Sequence, residues 1–404
     1  MNGFLSFILN IIIFLLSLCV LICLHELGHF SVAKLFNVYC YEFSIGMGPA
    51  LYKHKPKKGE TIFSVRALPI GGYVAIAGEE EDDKERTNKE IADVPKERTI
   101  AGISWWKQVL IFVAGVTVNF ILGFIFFAIS YTCCPQPNLN SNKIVVASSS
   151  KFISVSDGKI KEGDSIIIES IDDMSFKCDG GNEVMVLNTS QLTDSYNDIT
   201  YYLNLSFLSE NERNLYIPKA ESDYRKITFT VSLVSGEKVS YTITTNAKVV
   251  STDEMNSKTY AWDTIGFTPS KHFLGFAEGM KQASIAFGNG TVALFKAIGQ
   301  LFTPQGWNNV GGIISVFQLS ETAVNSGAAV FFSYWGLISV NLAIFNLIPI
   351  PGLDGWQIVV AAIEGISKKK VPSKAKKIVT IIGFGLLFLL MFVLLIKDIV
   401  MMFI

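Results

Sequence analysis

The sequence predicts an α-helical polytopic membrane protein with about four transmembrane helices, a β-rich loop beside them and one soluble insert. Three observations point there. Half of the 404 residues are hydrophobic and only 17% are charged, against about 25% in soluble globular chains, and the mean hydropathy is +0.39. Four windows of the length a bilayer span needs carry no charge: Phe4–Leu24, Val109–Tyr131, Ala328–Ile350 and Ile378–Ile396. Lysines and arginines crowd into two of the intervening loops. The net charge of −1 gives no reason to expect a nucleic-acid partner.

Residues 1–34 are expected to form the first transmembrane helix, whose uncharged run leads into LICLHELGHF. A basic leading region and a clear small-residue cleavage site are both missing, so this stretch reads as a retained span and not a signal peptide. Residues 35–106 read as a cytoplasmic-side β-loop followed by a charged loop. The runs VYCYEFSIG, TIFSVRALP and IGGYVAIAG alternate polar and apolar residues between Gly and Pro, the pattern of strands joined by turns. Irregular backbone of this kind is tolerated at membrane depth only against protein or water. The dense mixed charge of 79–98 reads as a solvated loop. Residues 107–132 form the second span.

Residues 133–270 are the soluble insert. GKIKEGDSIIIESIDD reads as a turn, an edge strand and another turn, while KITFTVSLV and VSYTITT show the period-two alternation of strands. The Asn/Ser/Asp-rich middle, roughly 179–224, gives no assignment. Residues 271–327 read as amphipathic helices at the membrane surface, 328–360 as the third transmembrane helix, 361–377 as a basic cytoplasmic loop and 378–404 as the fourth transmembrane helix. Lys34, Lys53, Lys55, Lys57, Lys58, Arg66 and Lys107 mark the first loop as cytoplasmic, and Lys368, Lys369, Lys370, Lys374, Lys376 and Lys377 mark the last. Both termini and the insert are then extracytoplasmic. None of the six cysteines has a CxxC spacing. Cys19 and Cys23 read as packing residues on the first helix. Cys133, Cys134 and Cys178 would share one side of the membrane, where a disulfide among them stays open.

HELGH is H-E-x-x-H. Residues four apart share a helix face, so His25 and His29 can reach one metal, with Glu26 one step round. Zinc lowers the pKa of a bound water towards ~7, and a neighbouring carboxylate can take its proton. Two satisfied helical histidines would be the bland alternative, but ionisable groups within a span mark a functional site by default. A catalytic zinc wants three protein ligands. Leu35 stands where a longer H-E-x-x-H pattern would place a third histidine. Glu42 and Glu60 belong to the β-loop, and His54 and His272 read as surface histidines. The strong remaining candidate is Asp354 in NLIPIPGLDGW, near prolines 349 and 351, which break the helix. The charge-derived topology brings it to the cytoplasmic level of the His pair.

These residues resemble the site-2 protease family of intramembrane zinc metalloproteases, and most closely its bacterial regulator-of-sigma-E protease type. HELGHF is similar to the family's zinc helix, NLAIFNLIPIPGLDG to its second signature, FSIGMGP and LPIGGYVAIAGE to its membrane-associated β-structure, and WWKQVLIFVAGVTVNFILG to its second span. Val116 departs from a usual proline, and Trp356 from a usual glycine after LDG. The resemblance implies an extracytoplasmic PDZ-like α+β insert, matched by GKIKEGDSII and TIGFTPS. It implies Zn2+ held by His25, His29 and Asp354, with Glu26 as general base. Asn346 would bond the substrate backbone, and the β-loop at Gly71, Gly72, Tyr73, Val74 and Ala75 would hold the substrate as an added strand. The expected substrates are single-span membrane proteins or remnant signal peptides, cleaved in the bacterial cell membrane after a first cut by a site-1 type protease. A membrane ion transporter using the His/Asp site is the competing reading, against which no internal repeat is evident. An inactive scaffold is a third.

Overall fold

The computed structural model describes residues 3–57, 59–78, 94–178, 181–187, 190–252, 258–300, 303 and 310–401. Most of the charged stretch 79–98 therefore lies outside the described residues. The chain divides into two compact units, Met1–Cys134 with Leu274–Ile404, and Pro135–Phe273.

Among the described residues, the first unit holds four helices long and apolar enough to cross a membrane. Helix α1 (Gly3–Leu35) continues past the uncharged window and through the His/Glu stretch. Its stop is local. Asn37 takes a left-handed φ of 60°, the Asn37 N–H donates to the Lys34 carbonyl at 3.0 Å, and the Val38 N–H donates to that of Ala33 at 2.9 Å. These are the paired closing bonds of a Schellman cap, and Asn is among the few residues that adopt this conformation cheaply. Ala33 and Val38 are fully buried in one cluster with Phe43 and Ile111, which fastens the helix end to the loop and span that follow.

Strands β1 (Cys40–His54) and β2 (Ile62–Ile76) form an antiparallel pair that curls on itself. Residues 42–45 have 72–75 on one side and 62–65 on the other, and 52–54 pair with 63–65 beyond. Gly46 allows the bend. Its φ is +84°, and a Cβ there would stand 2.6 Å from the Leu68 carbonyl oxygen. The two runs read from sequence as TIFSVRALP and IGGYVAIAG are one strand in the structure. Met47, Leu51, Tyr52 and Leu68 are exposed.

Helix α2 (Trp105–Cys133) buries Ile111, Gly115, Asn119, Gly123 and Phe127, a stripe of every fourth residue. The small members set the spacing. A Cβ on Gly28 would stand 2.7 Å from the Ala114 carbonyl oxygen, and one on Gly123 would stand 2.6 Å from Val340. Small residues at such crossings let apolar helices approach closely where the hydrophobic effect gives little drive.

The second unit is built on an antiparallel sheet. Its main strands are β3 (Lys143–Val146), β4 (Ser165–Lys177), β5 (Tyr224–Ser232), β6 (Lys238–Thr252), β7 (Lys258–Trp262) and β8 (Phe267–Pro269), in the order β7-β6-β5-β4-β3-β8. The stretch expected to be an edge strand is β4, and it is central, paired to β3 and β5. Backbone groups on both of its edges are paired, and its side chains Ile166, Ile168, Ile171 and Met174 lie in the core of this unit. The unassigned middle contains helix α3 (Tyr196–Leu203), started by a capping box between Ser195 and Asp198. A second box, Ser209 with Glu212, starts a short turn at Glu210–Arg213. Cys19, Cys23 and Cys133 are free thiols.

Returning to the first unit, α4 (Phe276–Gln300) and α5 (Ile313–Ser326) precede α6 (Ala328–Leu347), α7 (Asp354–Ser367) and α8 (Ser373–Met401). Residues 328–360, expected as a single span, are two helices with a break. Pro349 and Pro351 have no N–H to continue α6, and Gly352 takes a φ of +102°. Asp354 therefore opens α7 and does not close α6.

Candidate metal centre

His25 and His29 sit one turn apart on α1, each 5% exposed, with their Nε2 atoms 3.1 Å apart. The approach of α2 shapes the space around them: a Cβ on Gly115 would fall 2.4 Å from His29 Nε2. Asp354 comes from the far end of the chain. Its position in the first turn of α7 suits a carboxylate, because the helix dipole favours negative charge there. The α7 start is itself tightly folded back. A Cβ on Gly355 would stand 2.4 Å from the Leu347 and Ile348 carbonyl oxygens. Asp354 Oδ2 ends up 3.0 Å from His25 Nε2 and 3.3 Å from His29 Nε2.

The donor set fits a zinc ion on three grounds. Ligands about 2.0–2.1 Å from a tetrahedral zinc stand roughly 3.3 Å apart, close to the three separations here. Asp354 Oδ2 is buried and faces the two ring nitrogens. His29 Nδ1 lies 2.8 Å from the Ile111 carbonyl oxygen; the ring donates there, so the Nε2 lone pair faces the centre, as second-layer partners of metal-bound histidines usually arrange. Among the described residues this is the cluster whose ligand atoms converge, all within 4.8 Å of one another.

The other expected site residues surround it. Glu26 follows His25, and the Val74 backbone amide of β2 faces its carboxylate. Asn346, in the last turn of α6, places Nδ2 3.3 Å from His25 Nε2, although the two are 321 residues apart in sequence. Gly71 and Gly72 hold β2 close to α1. The Gly71 carbonyl accepts from Cys19 and Cys23 at 3.3 and 3.6 Å, and a Cβ on Gly72 would stand 2.6 Å from the Ser44 oxygen. The Tyr73 side chain turns away, its hydroxyl accepting from Arg66. Among the described residues, 72–75 pair with 42–45 on one side only.

The discarded ligand candidates have other partners or none in the centre. Glu42 pairs with Arg66, Glu60 with Lys34 and Arg98, and His54 and His272 are exposed. Sequence reasoning passed over Asn119, which is fully buried with Nδ2 3.0 Å from His25 Nδ1. Its only mark in the sequence is that it is a lone amide in an uncharged span.

Comparison with known proteins finds relatives along nearly the whole chain. The model of peptidase family M50 matches residues 13–390. The probable protease Eep of Enterococcus faecalis is 27% identical over 95% of this chain and 96% of its own length. A Clostridium acetobutylicum protein whose name describes a zinc metalloprotease is 30% identical over 97% of each chain. The zinc metalloprotease RasP of Shouchella clausii is 24% identical over 96% of this chain and 98% of its own.

Proposed function

We propose, from the premise that this chain belongs to peptidase family M50, that it is an endopeptidase cutting peptide bonds inside membrane segments. It is a multi-pass membrane zinc metalloprotease, which decides between the hydrolase and transporter readings. The observation carrying the proposal is the convergence of His25, His29 and Asp354, with Glu26 beside them, on helices apolar enough to cross a bilayer.

In this reading His25, His29 and Asp354 hold Zn2+. The ion supplies Lewis acidity, which makes water a competent nucleophile near neutral pH. Glu26 takes the proton from the attacking water and returns it to the leaving amide nitrogen. Asn346 hydrogen-bonds the substrate backbone next to the scissile bond. Residues 71–75 pair with an unwound substrate as an added strand. Helical peptide bonds are shielded, so extension has to precede cleavage. Support for this step comes from the one-sided pairing of 72–75 and from the Val74 amide beside Glu26. Substrates are single-span membrane proteins or remnant signal peptides, reached after a first cut by another protease. The distribution of Lys and Arg supports a bacterial cell membrane orientation with both termini and a PDZ-like insert outside.

Glu26→Gln tests the mechanism. Purified in detergent with a model single-span substrate, the variant is expected to cleave about 10²–10⁴-fold more slowly while its zinc content matches the parent. Undiminished cleavage overturns the assignment.

A further inference from the structure

We propose that α2 acts as the template that fixes which ring nitrogen carries the proton in both histidines, with Asn119 the positioning residue for His25. The inference rests on the reading of His25 and His29 as metal ligands through Nε2. It concerns what lies behind them.

Three residues at successive fourfold spacing on α2 line the imidazoles: Ile111, Gly115 and Asn119. Their pitch matches that of His25 and His29 on α1, so one helix faces the other turn by turn. Ile111 offers a backbone carbonyl 2.8 Å from His29 Nδ1. Gly115 leaves open the space in which the two rings meet, since a Cβ there would stand 2.4 Å from His29 Nε2 and 2.8 Å from His25 Cε1. Asn119 sets its side-chain amide against His25 Nδ1 at 3.0 Å. The Asn119 backbone is itself held, its carbonyl accepting from Ser339 of α6 at 2.8 Å.

The orientation of that amide decides the chemistry. With Nδ2 towards the ring, Asn119 donates to Nδ1, and the His25 proton is forced onto Nε2, where it points at His29 and Asp354. The far amide atom of Asn119, Oδ1 in this arrangement, has no hydrogen-bond partner, so the contact with His25 decides which way the amide turns. Oxygen and nitrogen of an amide are assigned from the surrounding network. Turned over, Oδ1 accepts from Nδ1–H, and the Nε2 lone pair is free for a metal. The backbone carbonyl of Ile111 already imposes the same pattern on His29. The two histidines are then prepared by two different acceptors on one helix, and one of these acceptors is a side chain that can be changed.

The test is zinc affinity of the full-length protein in detergent, measured by chelator competition, with Co2+ absorption as a spectroscopic check on the ligand set. Asn119→Leu keeps the size and loses the acceptor, and is expected to weaken zinc binding by about 10–100-fold. Asn119→Asp keeps an acceptor and cannot donate when ionised, and is expected to bind zinc at least as tightly as the parent. If Leu leaves the affinity intact, or Asp loses as much as Leu, Asn119 is not the acceptor and the proposal falls. Circular dichroism and melting of both variants separate misfolding from loss of the acceptor. His25→Ala is the control for the underlying reading: if it leaves zinc binding unchanged, the ligand assignment fails instead.

Discussion

Away from the membrane spans, single charged residues tie elements together, as Glu60 does with Lys34 and Arg98. Burial alone would push its carboxyl up. Hydrogen bonds and charge from Lys34 and Arg98 outweigh that and hold it below the usual carboxylate range. Arg98 Nη2 meets both carboxylate oxygens at 2.8 and 2.7 Å, tying the end of α1 to the turn before β2 and the segment before α2. A depressed folded-state pKa stabilises above the unfolded value of about 4.3, and that contribution is lost as pH falls through the folded value. Thermal melts of Glu60→Gln are therefore expected to show a lower Tm than the parent at pH 7, with the gap narrowing as the pH drops below about 4. A constant gap would mean that the pair contributes no charge-dependent stability. Residue chemistry of this kind was partly legible beforehand. His25, Glu26 and His29 announce themselves because ionisable groups are costly in an apolar run. Asn119 did not stand out, because a single amide in a span carries no pattern until a histidine is seen against it.

At the scale of elements, close approach does most of the positioning. Gly28, inside HELGH, has no chemical role in the motif, yet it lets α2 come within van der Waals distance of α1. Gly28→Ala is expected to cost about 1–3 kcal/mol by overpacking and to reduce zinc retention, because His25 and His29 ride on the same turn. Unfolding titrations in detergent together with zinc analysis check both, and an Ala variant with parental stability would show that the helices can part without loss. The spans, a β-rich loop after the first of them and the strands β5 and β6 were readable from hydropathy and period-two alternation, whereas the two-strand, curled form of that loop was not. The central place of β4 was not, because alternation reports that a strand has a buried face and says nothing about how many neighbours it has. The capping boxes at Ser195 and Ser209 were present in sequence as Ser-x-x-Asp and Ser-x-x-Glu, but without an apolar run behind them they gave no helix signal.

At the scale of the whole molecule, the proposed metal centre would join the first helix to the start of α7 near the other end of the sequence, and metal binding would then be linked to folding of the membrane unit. Ligand that binds only the folded form stabilises it by about 4 kcal/mol at a thousandfold excess over Kd. Removing zinc with a chelator is expected to lower the Tm of the parent and to leave that of Asp354→Ala nearly unchanged; equal shifts in both would separate Asp354 from the metal. The sequence by itself determined the apolar spans and singled out H-E-x-x-H, because these rest on local composition and on spacing along one helix, and it reached Asp354 through the charge-derived topology and the family resemblance. Only the tertiary structure decided that Asp354 begins a new helix, that residues 72–75 lie at a sheet edge, and that Asn119 and the Ile111 carbonyl stand behind the two rings. Those facts depend on which surfaces pack together and how closely. That distance is set by glycines at helix crossings and by a proline break, and it exists only once distant segments have met.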